Sequence, residues 1–154
     1  TRSRVREGVE LWTTISGSAQ IVTDGAVTIP VYQDGDHPDG ALRPGSASNY
    51  NNAKSWYNVV TARSAIGVSK DGRTLTLFTA DVRGGSEGIK VGEMAQWLVE
   101  RYGVWNALNI DGGGSTSLAM ADPATGAVKL VNVSSDNPAG RSVASSLIVF
   151  AKVK

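Results

Sequence analysis

The sequence predicts an α+β fold: a mixed, largely antiparallel sheet packed around one main helix. Three observations predict it. Apolar residues recur at helical spacing in one segment, at Val91, Met94, Ala95, Leu98, Val99 and Tyr102. Elsewhere, short apolar runs flank Asp-Gly turns, the strongest local signal for hairpins. Glycine supplies 18 of the 154 residues, which suits a turn-rich chain with many strands.

Val9 to Ile15 reads as a first strand. Ala19-Gln20-Ile21-Val22 and Ala26-Val27-Thr28-Ile29-Pro30 flank Thr23-Asp24-Gly25 and read as a hairpin. From Gln33 to Asn52 the chain is polar and patternless, the length of a functional loop. Ala62 to Ser69 and Thr74 to Thr79 form a second hairpin around Lys70-Asp71-Gly72-Arg73. In the latter run Leu75, Leu77 and Thr79 alternate with Thr74, Thr76 and Phe78. A glycine-rich loop, Asp81 to Gly88, leads to the helix over Val91–Tyr102, and Gly103 stands where a C-terminal cap belongs. Trp105 to Ile110 then feeds a central strand, with Trp105 joining the core and Trp97 on the helix's outer side. Val128 to Val131 and Ser145 to Phe150 read as further strands.

The bulk numbers exclude several classes. A net charge of +1 lacks the basic footprint of a nucleic-acid binder. No apolar stretch approaches membrane-spanning length. With no cysteine, disulfides and thiolate metal sites are impossible, and no cofactor or metal is expected. The chain is long enough for a single domain, residues 1–154, with its own core. The composition is compatible with a secreted or cell-surface bacterial protein. Arg2-Ser3-Arg4-Val5-Arg6 reads as a cut linker, so proteolytic processing ahead of Thr1 is expected.

The most informative stretch is Asn109-Ile110-Asp111-Gly112-Gly113-Gly114-Ser115-Thr116-Ser117. An apolar strand ends in a carboxylate and then in three residues with no side chain. Glycine there costs backbone entropy, a cost that makes sense where a ligand or another backbone approaches closely. Asp111 either faces a substrate or bonds the amides of its own loop. Asp81 also ends a strand beside glycines. It reads equally as a second carboxylate or as loop chemistry. Glu87 and Glu93 are weaker candidates, and Glu93 sits where a helix dipole explains it. Arg63 lies in an apolar strand and, with Arg141, is either an anion partner or half of a structural Asp–Arg pair. Ser115, Thr116 and the amides of Gly112, Gly113 and Gly114 are placed to donate to an oxyanion. A Ser–His–Asp triad is disfavoured, because the one histidine, His37, lies in the patternless loop. Trp12 is a further aromatic to weigh, and Trp56 and Tyr57 are the best candidates for stacking on a sugar ring.

The ordered set Arg63-Ser64-Ala65-Ile66-Gly67-Val68, Asp81-Val82-Arg83, the helix, Asn109 to Ser115, and Arg141-Ser142-Val143-Ala144 resembles the phosphodiester glycosidase family. The resemblance covers about Ser16 to Val149. It departs from the family pattern at Asp81-Val82-Arg83, where Asp-Gly-Arg is usual, and lacks an Asn-Gly-Gly-Phe-Phe-like segment upstream. It implies the C-terminal part of a larger domain, completed by an upstream segment or by a second chain from the same precursor. It implies a glycosidase that hydrolyses a sugar–phosphodiester or anionic polysaccharide linkage. In this reading Asp111 and Asp81 share the acid, base or nucleophile roles, Arg63 and Arg141 hold the anion, and Asn132, Asp136 and Asn137 border the pocket. Two other readings stay open: a non-catalytic carbohydrate-binding module, and an N-terminal-nucleophile hydrolase activated by cleavage before Thr1.

Overall fold

The structure is a computed structural model that describes residues 15–29, 59–143 and 146–150. The Val9–Ile15 strand up to residue 14, the Gln33–Asn52 loop, Thr1, His37, Trp12, Trp56 and Tyr57 lie outside the described residues.

Among the described residues, seven strands and one α-helix follow in order. β1 (Ala19–Thr23) and β2 (Ala26–Val27) form the first hairpin, and β3 (Arg63–Ser69) and β4 (Leu75–Ala80) the second. α1 runs over Val91–Tyr102, followed by β5 (Val104–Asn109), β6 (Ala119–Ala121) and β7 (Val128–Leu130). The main sheet has five strands in the order β2-β1-β5-β3-β4, with every described pairing antiparallel. β5 is its centre, as its apolar run requires. β6 and β7 make a separate hairpin. The α+β class holds.

Local chemistry explains the elements. Asp24 (φ 51°) and Gly25 (φ 78°) both take the left-handed backbone that a two-residue hairpin turn demands. At the second turn, Asp71 Oδ1 accepts from Ser69 Oγ at 2.6 Å and from the Arg73 amide at 3.1 Å. These bonds, the Ser69 hydroxyl first, hold the Asp71 carboxyl below its ordinary value. The helix starts where Glu93 Oε2 accepts the Lys90 amide at 3.0 Å, which accounts for Glu93 without catalysis. It stops at Gly103, whose φ of 61° closes the last turn.

α1 buries Val91, Met94, Ala95 and Leu98 against Ile21, Val22, Ala65, Val104 and Ala107 of the sheet. Each large apolar side chain so buried contributes about 1.5–3 kcal/mol. The period-two pattern of β4 holds, with Phe78 and Ala80 turned toward this core. Leu75 (43% exposed) and Leu77 (38%) stand on the other face of the sheet with Val68 (39%).

Two expectations are corrected. Trp105 is half-buried rather than a core residue: its ring lies against Gly25 of the first turn, and Lys70 Nζ sits 4.4 Å from the ring centroid. A strand at Ser145–Phe150 is not formed in the part that is described. Residues 146–150 are irregular, and Ile148 (69%), Val149 (54%) and Phe150 (90%) are exposed. No described strand pairs with them, and an apolar run without a ladder partner has no reason to stay extended. Trp97 is on the outer side of α1 as expected, with Arg101 stacked over its ring at 4.8 Å.

Candidate functional site

The glycine loop leaves the end of β5 and folds back on the start of β3. The Ile110 amide bonds Ser64 O at 3.0 Å, and the Gly113 amide bonds Ala62 O at 2.8 Å. A side chain on Gly112 would come within 2.8 Å of that same carbonyl. Gly113 takes a φ of 57°, inside a short 3₁₀ turn over Gly113–Ser115. At Gly114 a side chain would run into the Asp136 carboxylate. The three glycines are thus required by close backbone docking, a left-handed residue and a packed carboxylate respectively.

This docking opens a cavity of about 390 Å³ on the sheet face away from α1. Asp111 and Ser115 line it, with further hydroxyls from Ser64, Thr79 and Ser117. Ile66, Leu77, Ile110 and Leu118 form an apolar wall. Asp111 is the one carboxylate among the described lining residues. It is exposed, and its Oδ1 also accepts the Gly112 amide at 2.9 Å. The loop-bonding role and the cavity-facing position therefore coexist.

Arg141 stands directly behind this lining. Its Nη2 donates to Ser115 Oγ at 2.6 Å, and its Nη1 lies 2.8 Å from Asp136 Oδ2. Arginine can only donate, so the Ser115 oxygen is the acceptor and its own proton is available to another group.

The remaining predicted residues lie elsewhere. Asp81 follows β4 and does not line the cavity. Its Oδ1 accepts from Asn132 Nδ2 at 2.8 Å and its Oδ2 from the Val133 amide at 2.7 Å. Arg63 is 6% exposed, with Nη2 on Val59 O at 2.6 Å and Nε on Ile89 O at 3.4 Å. Burial lowers its pKa from the usual arginine value. Thr116 is fully buried with its Oγ1 unpaired, so its hydroxyl is sealed away from the cavity. Glu87 is exposed in the loop before α1. The structure brings Asp111, Ser115 and the glycine loop together with Arg141 behind them; it does not bring Asp81, Arg63 or Thr116 to the cavity.

The loop that holds the site carries Asn132 and Asp136, which the family resemblance puts at the pocket border, and Ser134, which sequence reasoning missed. Asn132 Oδ1 accepts the Leu118 amide at 2.7 Å, and its Nδ2 also donates to Thr116 O at 3.1 Å. Ser134 is fully buried and donates Oγ to Gly114 O at 3.2 Å. Asn137 only caps a turn, accepting the Ala139 amide at 3.0 Å. The spacing Asn132, Ser134, Asp136 was the available signal: alternate polar residues after a strand, all aimed one way. Among the described residues no group of three His, Cys, Asp or Glu is placed to hold a metal ion. No described helix is long and apolar enough to cross a membrane.

Human N-acetylglucosamine-1-phosphodiester alpha-N-acetylglucosaminidase is 35% identical over 106 residues, which is 69% of this chain and 19% of the human protein. The mouse protein of the same name is 41% identical over 63 residues, 41% of this chain and 12% of that protein. The chain thus spans about a fifth or less of the curated relatives it matches. The catalytic domain of the zebrafish protein of that name, solved auto-inhibited by its pro-peptide, superposes with a TM-score of 0.57 at 22% identity. That match covers 84% of this chain and 39% of the zebrafish chain, and at this identity it shows a shared fold. The sequence model described as phosphodiester glycosidase matches residues 2–150. This chain therefore belongs to the phosphodiester glycosidase family.

Proposed function

We propose that this chain carries the active-site loop of a glycosidase that cleaves a sugar–phosphodiester or a related anionic linkage. The relatives' names supply the substrate class, an N-acetylglucosamine 1-phosphodiester. The observation that carries the reading is Asp111, a carboxylate on a 390 Å³ cavity whose rim also holds Ser115. A cavity of that size, with hydroxyls on one side and an apolar wall on the other, suits a sugar ring.

The chemistry follows from the leaving group. The phosphate leaves a sugar phosphodiester as a phosphomonoester anion and needs its charge stabilised more than it needs a proton. Asp111 acts as general base, taking a proton from water as the water oxygen bonds the anomeric carbon. The carbon–oxygen bond to phosphate breaks, and its electron pair leaves on the phosphate oxygen. The Ser115 hydroxyl, freed to donate by Arg141, faces that charge, and Arg141 adds its positive field from behind. Hydrolysis of UDP-N-acetylglucosamine, a soluble compound with this linkage, tests the reading. Asp111→Asn should abolish turnover while the fold is kept. Sugar binding by the wild type without turnover, with Asp111→Asn lowering affinity only, would favour the carbohydrate-binding reading instead.

The larger domain of the relatives is part of the proposal. Beside the cavity, the outer sheet face with Val68 and Leu75 exposed suits a covering segment from the same precursor.

A further inference from the structure

We infer that Asp81 is a positioning residue, which holds the cavity-lining stretch 115–118 through Asn132 and does not touch substrate. Both of its oxygens are committed: one to the Asn132 side chain, the other to the Val133 backbone. A carboxylate that accepts a backbone amide at 2.7 Å and a side-chain amide at 2.8 Å is fixed in direction. It lies outside the cavity lining that Asp111 shares.

Asn132 passes that fixed direction on. Its Oδ1 takes the Leu118 amide and its Nδ2 gives to Thr116 O. An N–H and a C=O two residues apart are what a neighbouring strand would normally satisfy. The adjacent main-chain bond, Val131 N to Leu118 O at 2.9 Å, is such a ladder contact. The Asn132 side chain therefore extends the ladder beyond the end of β7, along the loop that presents Ser115, Ser117 and Leu118 to the cavity. Ser134 secures the same loop one turn earlier, through Gly114 O. Asp81 is the charged anchor that ties this latch to the end of β4. A neutral acceptor would hold it less firmly, because bonds to an ionised group are shorter and stronger.

That the loop serves catalysis rests on the reading of the cavity given above; the latch itself does not. Amide hydrogen exchange on the full chain tests it without substrate. In Asp81→Asn the Val133 amide loses its carboxylate acceptor, and the inference expects exchange to speed at least about ten-fold at Leu118 as well, while Met94 and Leu98 in α1 stay protected. Asn132 is the side chain that joins Asp81 to the Leu118 amide, so unchanged exchange at Leu118 overturns the inference. Should Asp81→Asn unfold the chain, UDP-N-acetylglucosamine hydrolysis by Asp81→Glu, Asn132→Ala and the double variant decides it. A positioning pair gives single losses of similar size that do not multiply in the double variant. An Asp81 loss that multiplies with that of Asn132→Ala overturns it. If no variant or wild type hydrolyses the compound, the functional reading fails, and Leu118 exchange in Asn132→Ala and Asp81→Glu stands as the test of the latch: both must speed it.

Discussion

Arg141 reaches Ser115 across 26 residues of sequence and donates Nη2 to its Oγ at 2.6 Å, while Nη1 holds Asp136 Oδ2 at 2.8 Å. One guanidinium thus orients a hydroxyl on the cavity and a carboxylate packed on Gly114. The Arg141–Asp136 pair is itself half exposed, 48% and 50%, so it adds at most about 1 kcal/mol to stability. Its value lies in geometry.

Replacing that fork should therefore cost binding more than folding. Lysine carries the charge but cannot serve two partners in one plane. Arg141→Lys is expected to raise KM for UDP-N-acetylglucosamine about 10- to 100-fold, the worth of a lost bond to a charged group. Thermal melting should shift by no more than roughly 2–4 °C. Steady-state kinetics beside a melting curve checks both halves.

Gly114 gives a stability prediction. A methyl there meets the Asp136 carboxylate, so Gly114→Ala should destabilise by about 1–3 kcal/mol. Removing the obstacle should recover part of that loss. A double-mutant cycle with Asp136→Ala, read by urea unfolding, should show coupling of at least about 0.5 kcal/mol.

The core makes a simpler claim. Leu98 is fully buried between α1 and the sheet, so Leu98→Ala should cost about 2–5 kcal/mol. Chemical denaturation measures it. A cost below 1 kcal/mol would mean that the helix does not pack as described.

The turn at Asp71 predicts a pH effect. Its folded carboxyl is held below the ordinary value, by the Ser69 hydroxyl first and the Arg73 amide next. A depressed carboxyl stabilises the fold above its unfolded value of about 3.9, and that contribution fades as pH falls through the folded value. The stability gap between wild type and Asp71→Asn should be steady near neutrality and close on acidification below about pH 4. Unfolding of both proteins across that range checks the sign.

Much of the scaffold was legible in the sequence because it rests on local periodicity. The Val91–Tyr102 helix and the Gly103 cap follow from 3.6-residue spacing and one left-handed residue. The two hairpins follow from Asp-Gly turns between apolar runs. β6 was not legible: Ala119-Met120-Ala121 carries no strand signal and is ordered by pairing with β7. Ser145–Phe150 shows the converse, a run with strand character that finds no described partner. Within the site, Asp111 and the glycines were legible because their oddity is local. Asp81 and Arg63 show the limit. A carboxylate beside glycines and an arginine in an apolar strand signal that something polar is bonded there, but not what. Asp81 takes Asn132 and Val133, more than fifty residues away, and the partners of Arg63 include the Ile89 carbonyl, 26 residues away, and the nearby Val59 carbonyl.

Asp111 offers the most direct measurement. Wild type and Asp111→Asn are compared for hydrolysis of UDP-N-acetylglucosamine, with circular dichroism confirming an unchanged fold. The account predicts that kcat falls by about a hundred- to ten-thousand-fold, the usual worth of a general base. Full turnover by the folded variant would contradict it.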